Sequence, residues 1–187
     1  AKHLIRKAQE NLDMIVQAIS NGQNKSANTN FGESCNISNV VDNALSIARH
    51  NEIPMKINFE KDKQYFVKAN RILMGQLFDN IITNAVEAIS TSHNDNGLID
   101  IKISPVNDEN GDMVEISIKD NGDGINQEDI DNLFKRGFST RDFKSGGLGL
   151  HWCANTVNSI GGKIKLSSQG KNQGAEVKII LPSANAA

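Results

Sequence analysis

Apolar residues recur along this chain at two periods, and the period separates helices from strands. Leu4, Ile5, Ala8, Leu12, Ile15 and Ile19 fall three and four apart, which predicts an amphipathic helix over about residues 2–20, ended at Gly22. Residues 21–34 are polar and without period, and read as a linker. A second helix is predicted to start near Ser38, with that hydroxyl as its cap, and to bury Val41, Ala44, Leu45 and Ala48. Pro54 forbids its continuation.

From Met55 onward a period of two takes over. Met55, Ile57 and Phe59 alternate with polar residues, as do Ile99, Ile101 and Ile103, then Val114, Ile116 and Ile118. Ile164 with Leu166, and Val177 with Ile179 and Leu181, repeat the pattern. Such alternation buries one face of a sheet and leaves the other polar. The connections Asn107–Asp112 and Gln169–Gly174 are short and turn-rich, so the strands they join form antiparallel hairpins. Helices are predicted over about 70–91, 127–134 and 149–160, the last stopped by Gly161-Gly162. The expected fold is α/β, a two-layer sandwich of a mixed sheet with helices on one face. Boundaries follow from the same pattern: a first helix in 1–21, a linker in 22–35, a folded domain in 36–183 and a tail in 184–187.

Composition narrows the classes. The 187 residues suffice for one domain with an appended element, and 38% apolar residues supply a core. A net charge of −2 with no basic run gives nucleic acid or an anionic membrane nothing to hold. Cys35 and Cys153 lie far apart without metal-ligand spacing, and read as reduced thiols of a cytosolic protein. No apolar run reaches the ~20 residues of a membrane helix, and no signal peptide opens the chain. Its first and last residues read as cut points in a longer protein, which leaves room for a membrane anchor elsewhere in the parent.

Four segments carry candidate chemistry. In the helix over 70–91, a 3.6-residue turn puts Gln76, Asn80, Thr83, Asn84, Glu87 and Thr91 on one stripe. Met74, Leu77, Phe78, Ile81, Ile82, Ala85, Val86 and Ile89 take the opposite side. Asparagine suits a helix interior poorly, because its amide competes for backbone hydrogen bonds. Two of them one turn apart are either part of a solvated face or oxygen donors for phosphates and a hard cation such as magnesium. Asp120-Asn121-Gly122-Asp123-Gly124 follows a strand end, where a carboxylate can accept from an amino group and glycines let a ligand approach. The rest of a calcium-loop spacing is absent. Ser145-Gly146-Gly147-Leu148-Gly149-Leu150 leads into a helix whose first amides suit an anion. Between these, Leu133 to Lys144 holds four cations and three phenylalanines, a basic surface loop or a lid over a polyphosphate. Neither glycine string is a Walker A loop.

In this order the segments resemble the histidine-kinase branch of the GHKL ATPases, whose ATP-binding domain has the Bergerat-type α/β sandwich. Phe78 to Ala88 resembles the N box, Asp120 to Gly124 the G1 box, Leu133 to Arg141 the F box, and Gly147-Leu148-Gly149-Leu150 the G2 box. The resemblance covers about residues 36–183 and implies ATP and Mg2+ as cofactors. It implies that Asn84 coordinates the metal and Asn80 supports the phosphate–metal cluster, with Glu87 nearby. Asp120 would take the adenine amino group, with Gly122, Gly124 and Ile125 shaping its pocket. Gly147, Leu148, Gly149 and Leu150 would bring amides to the phosphates, and Thr140 and Arg141 would belong to the lid, Arg141 reaching the γ-phosphate. Water-activating ATPases and anti-sigma-type serine kinases of this fold, the alternative reading, resemble the chain but carry a glutamate base where Asn80 stands.

The implied activity is transfer of the ATP γ-phosphoryl group to a histidine, then to the receiver domain of a response regulator. The implied assembly is a homodimer through a two-helix hairpin, to which the helix over residues 2–20 would contribute one helix. His3, His50, His93 and His151 do not stand in the family's acceptor motif, so the phosphoacceptor is expected on a helix not evident here.

Overall fold

The computed structural model describes residues 34–50, 55–60, 62–92, 96–109, 111–135 and 148–184, all within the compact unit Phe31–Ala187. The predicted helix over 2–20 and residues 21–33 of the linker lie outside the described residues. Strand β1 (Ser34–Asn36) opens the fold, so the last linker positions are already structured. Helices α1 (Ile37–Ala44) and α2 (Ser46–Arg49) follow, then β2 (Met55–Phe59), β3 (Phe66–Lys68) and the long α3 (Arg71–Thr91). Next come β4 (Gly97–Asp108), β5 (Gly111–Asp120), the short α4 (Gln127–Ile130), α5 (Gly149–Ser159), β6 (Lys163–Ser167) and β7 (Glu176–Pro182).

The main sheet has five strands in the order β2-β4-β5-β7-β6. Strand β2 runs parallel to β4, with Ile57 opposite Ile99, and every other pair is antiparallel, which makes the sheet mixed as expected. Both predicted hairpins form, β4 with β5 and β6 with β7. Pro105 sits in β4 beyond the reach of β2, which pairs only as far as Ile101, so its missing N–H breaks no ladder on that edge. Ile99, Ile101, Ile116, Ile118, Ile179 and Leu181 face the helices and are buried, as the alternation required. Against them lie Phe78, Ile81, Ile82 and Ile89 of α3 with Val157 of α5. Burial of each such side chain contributes about 1.5–3 kcal/mol, and together they fix the face that α3 turns outward.

Two local expectations need correction. Ser38 is not the cap of α1: Asn36 is, its side chain accepting from the Asn39 N–H at 3.2 Å. Ser38 is buried instead, its hydroxyl donating to the Lys63 carbonyl and accepting from the Tyr65 N–H, which ties α1 to the approach of β3. The helix predicted over 127–134 is regular only for Gln127–Ile130, and turns carry the chain on to Phe134. A small second sheet, β1 paired with β3, was not predicted.

Candidate functional site

Helix α3 is set by its cap and its packing. The Asn70 side chain accepts from the Ile72 and Leu73 N–H groups, which fixes where the helix starts. All eight apolar positions predicted to face the core are buried. The polar stripe is thereby turned away from the core, and Gln76, Asn80, Thr83, Asn84 and Glu87 are each half-buried. That intermediate exposure fits a cleft wall better than an open surface. Asn80 donates from Nδ2 to the Gln76 carbonyl at 3.1 Å, one turn back, so its orientation is held. Its oxygen points toward α5: a Cβ placed on Gly149 would lie 3.4 Å from Asn80 Oδ1. The asparagine helix and the glycine-led start of α5 therefore meet, although 69 positions (149 minus 80) separate them in the chain. Gln76 Oε1, one turn further along the stripe, is buried without a hydrogen-bond partner.

The strand-end turn closes the opposite end of α3. Asp120, the last residue of β5, is buried, and its Oδ1 accepts from the Gly122 N–H at 2.9 Å and the Ala175 N–H at 3.3 Å. Two backbone donors hold the carboxylate in one pose. Gly122 passes directly over α3: a Cβ there would sit 2.5 Å from the Ala88 carbonyl carbon, closer than any side chain tolerates. Gly124 adopts φ +66, and a Cβ there would collide with the Gly170 carbonyl oxygen. Asp123 completes the join, its N–H donating to the Ala88 carbonyl while its carboxylate accepts from the Thr91 hydroxyl. The Ile125 N–H donates to the Ser168 hydroxyl at 3.0 Å, which places this residue against the β6–β7 hairpin.

Helix α5 begins at Gly149 after Leu148, and no side chain caps it. Its first intrahelical bond is Trp152 N–H to the Leu148 carbonyl, so the preceding amides have no acceptor within the helix. Leu148, Gly149 and Leu150 are half-buried here, and Gly149 lies beside Asn80. Asn80, Asn84, Glu87, Asp120, Gly122, Gly124, Ile125, Leu148, Gly149 and Leu150 thus all border α3 or the turns that flank it. Thr140, Arg141 and Gly147 lie outside the described residues, as does most of the predicted lid.

Sequence reasoning missed two contributors. Asn121 reads as one more polar turn residue, yet it pins the start of β4, accepting from the Leu98 N–H at 2.7 Å and donating to the Asn96 carbonyl at 2.8 Å. His151 follows the glycine motif directly and is engaged through both ring nitrogens. A cavity of about 320 Å³ lies away from this site. Lys68, Asp112, Met113 and Pro182 are among its lining residues, at the end of β5 away from Asp120, where no binding pattern falls.

Residues 69–185, more than half of the chain, match the family of histidine kinase-, DNA gyrase B-, and HSP90-like ATPases. The chain belongs to that family. It is similar to a probable C4-dicarboxylate sensor kinase of Halalkalibacterium halodurans, 30% identical over 73% of this chain and 25% of the relative. It is also similar to the sensor protein FixL of Bradyrhizobium diazoefficiens, 29% identical over 76% of this chain and 27% of the relative. The chain therefore spans about a quarter of the length of these curated relatives. A mycobacterial sensor histidine kinase, MprB, shares the fold with a TM-score of 0.67 at 21% identity, over 83% of this chain and 99% of that one. The chain is an ATP-binding catalytic domain of the sensor histidine kinase kind. No helix among the described residues is long and apolar enough to cross a membrane.

Proposed function

We propose that this domain binds ATP together with magnesium and presents the γ-phosphoryl group to a histidine on a separate helix of a longer, homodimeric protein. From there the phosphoryl group passes to a response-regulator receiver domain. The observation that carries this reading is the approach of Asn80 to Gly149, which brings an amide oxygen of the stripe to the start of α5.

The residues fit the proposed occupants. Amide oxygens of Asn84 and Asn80 are hard donors of the kind magnesium takes, and the cation when bound offsets charge on the β- and γ-phosphates. Asp120, held by two backbone N–H groups, accepts the adenine amino group, with Gly122, Gly124 and Ile125 around the base. Amides of Leu148, Gly149 and Leu150 face the phosphates, where the start of α5 favours negative charge. Glu87 lies between the two ends of the stripe, and the resemblance to the family assigns Thr140, Arg141 and Gly147 to the phosphates.

In the reaction a neutral imidazole nitrogen forms the N–P bond while the bond from the γ-phosphorus to the β–γ bridging oxygen breaks, and ADP leaves with that electron pair. The nucleophile is competent in its unprotonated form at neutral pH, so no base is needed to activate it. Asn80 fits this requirement, because its amide cannot take a proton from water, and the residue favours a kinase over a water-activating ATPase. The remaining work is to hold the nucleotide in line and neutralise charge.

The test has two stages. Calorimetry with an ATP analogue should show binding that strengthens with magnesium. With γ-labelled ATP and a helical hairpin bearing an acceptor histidine, acid-labile label should appear on that histidine. Binding indifferent to magnesium, or release of inorganic phosphate without histidine label, would overturn the proposal.

A further inference from the structure

His151 is the third residue of α5 and follows Leu150 directly. Its Nδ1 lies 2.9 Å from the carbonyl oxygen of Phe134, and its Nε2 lies 3.1 Å from Asn155 Nδ2. A carbonyl only accepts, so Nδ1 carries the proton. The neutral ring then offers Nε2 as an acceptor to the Asn155 amide, one turn further along the same helix. Both ring nitrogens are satisfied by one tautomer.

The two partners differ in kind. Asn155 belongs to α5 and only steers the ring. Phe134 belongs to the F box, and its backbone is held by the neighbouring turns, Leu133 N–H to the Ile130 carbonyl and Lys135 N–H to the Asn132 carbonyl. The Phe134 side chain packs against the core, together with buried Leu133. The imidazole therefore fastens the first turn of α5 to an anchored segment 17 residues earlier in the chain. The backbone amide of His151 itself is among those that α5 leaves without an internal acceptor.

We propose that His151 is a positioning residue for the phosphate end of the nucleotide site, its Nδ1–H bond to Phe134 setting where the first amides of α5 point. The inference rests on the ATP-binding reading above and adds a residue to it. Because the clamp acts at the start of α5 and not at Asp120, it governs the triphosphate and leaves the nucleoside alone.

The experiment compares His151→Ala, His151→Gln and His151→Asn in the 187-residue chain, titrated with magnesium ATP and with adenosine. Asparagine places its Nδ2 where Nδ1 stood, whereas glutamine reaches toward the Nε2 position. Loss of one neutral hydrogen bond predicts a roughly five- to tenfold weaker ATP affinity for Ala and Gln. The Asn variant should stay near the wild type, and adenosine affinity should not change in any of them. Nitrogen shifts of the wild-type imidazole, read without nucleotide, should report the Nδ1–H tautomer. An Nε2–H tautomer would overturn the proposal, as would equal losses in the Ala and Asn variants or parallel losses of ATP and adenosine. A wild-type chain that binds no ATP would sink the proposed function and this role with it. A wild type that binds ATP, with an Ala variant that binds it equally well, would overturn the role alone.

Discussion

Replacing Asp120 by asparagine separates the proposed adenine contact from the carboxylate's work in the fold. Asp120 Oδ1 accepts two backbone N–H groups, from Gly122 and Ala175, and an asparagine Oδ1 can accept both. What changes is the second oxygen, the one proposed to accept from the adenine amino group, which becomes an NH2 donor. A hydrogen bond to a charged acceptor contributes about 1.5–3 kcal/mol, which predicts an ATP affinity weaker by roughly 10- to 150-fold. The melting temperature of Asp120→Asn should stay close to the wild type. Asp120→Ala is the contrasting case. It strips the buried Gly122 N–H and the half-buried Ala175 N–H of their acceptor, at about 1–3 kcal/mol for the buried one, so it should lower stability as well as affinity. Calorimetry with ATP and GTP, with thermal unfolding of all three proteins, reads both effects. An Asn variant that binds ATP like the wild type would refute the reasoning, as would a wild type that binds GTP as well as ATP.

Other perturbations reach the remaining parts. Asn84→Ala should abolish the magnesium dependence of ATP affinity while stability moves by no more than about 0.5 kcal/mol, since the half-buried amide adds little to the core; a titration with and without magnesium decides. Gly122→Ala forces a methyl against the Ala88 backbone, and should cost about 1–3 kcal/mol in denaturant unfolding. Burial pushes the Cys153 thiol up to about 12 from its ordinary 9.0. The folded chain thus keeps a proton that the unfolded chain loses, so this thiol lowers stability as pH rises from about 9 toward 12. Cys153→Ala should flatten the decline of unfolding free energy in that window; an unchanged slope would remove the thiol as its cause.

Much of the fold was legible because period and burial are the same fact seen twice. Ile116, Ile118 and Asp120 alternate on one face of β5, and Leu77, Phe78, Ile81 and Ile82 share one side of α3, so both elements follow from spacing alone. The candidate site residues were legible too, through glycines and asparagines that make poor helices and strands and so call for another reason to be there. What escaped was pairing across the chain. Strands β1 and β3 are three residues each, too short for a period, and they exist only because Cys35 meets Val67. Ser38 looked like a cap because it is a serine near a helix start, but Asn36 precedes it and Lys63 and Tyr65 claim its hydroxyl.

His151 shows the same limit at the site. Nothing within five residues of it names the Phe134 carbonyl as its partner, since that contact forms only when α5 returns to the segment after α4. The asparagine stripe gives the converse case. The stripe itself is readable from spacing, yet only the fold brings Gly149 of α5 beside Asn80. A Cβ at Gly149 would stand 3.4 Å from Asn80 Oδ1, in ordinary contact, so the two helices are close neighbours at this point. Local sequence therefore chooses which groups are offered at this site, and contacts between distant segments decide which way those groups face.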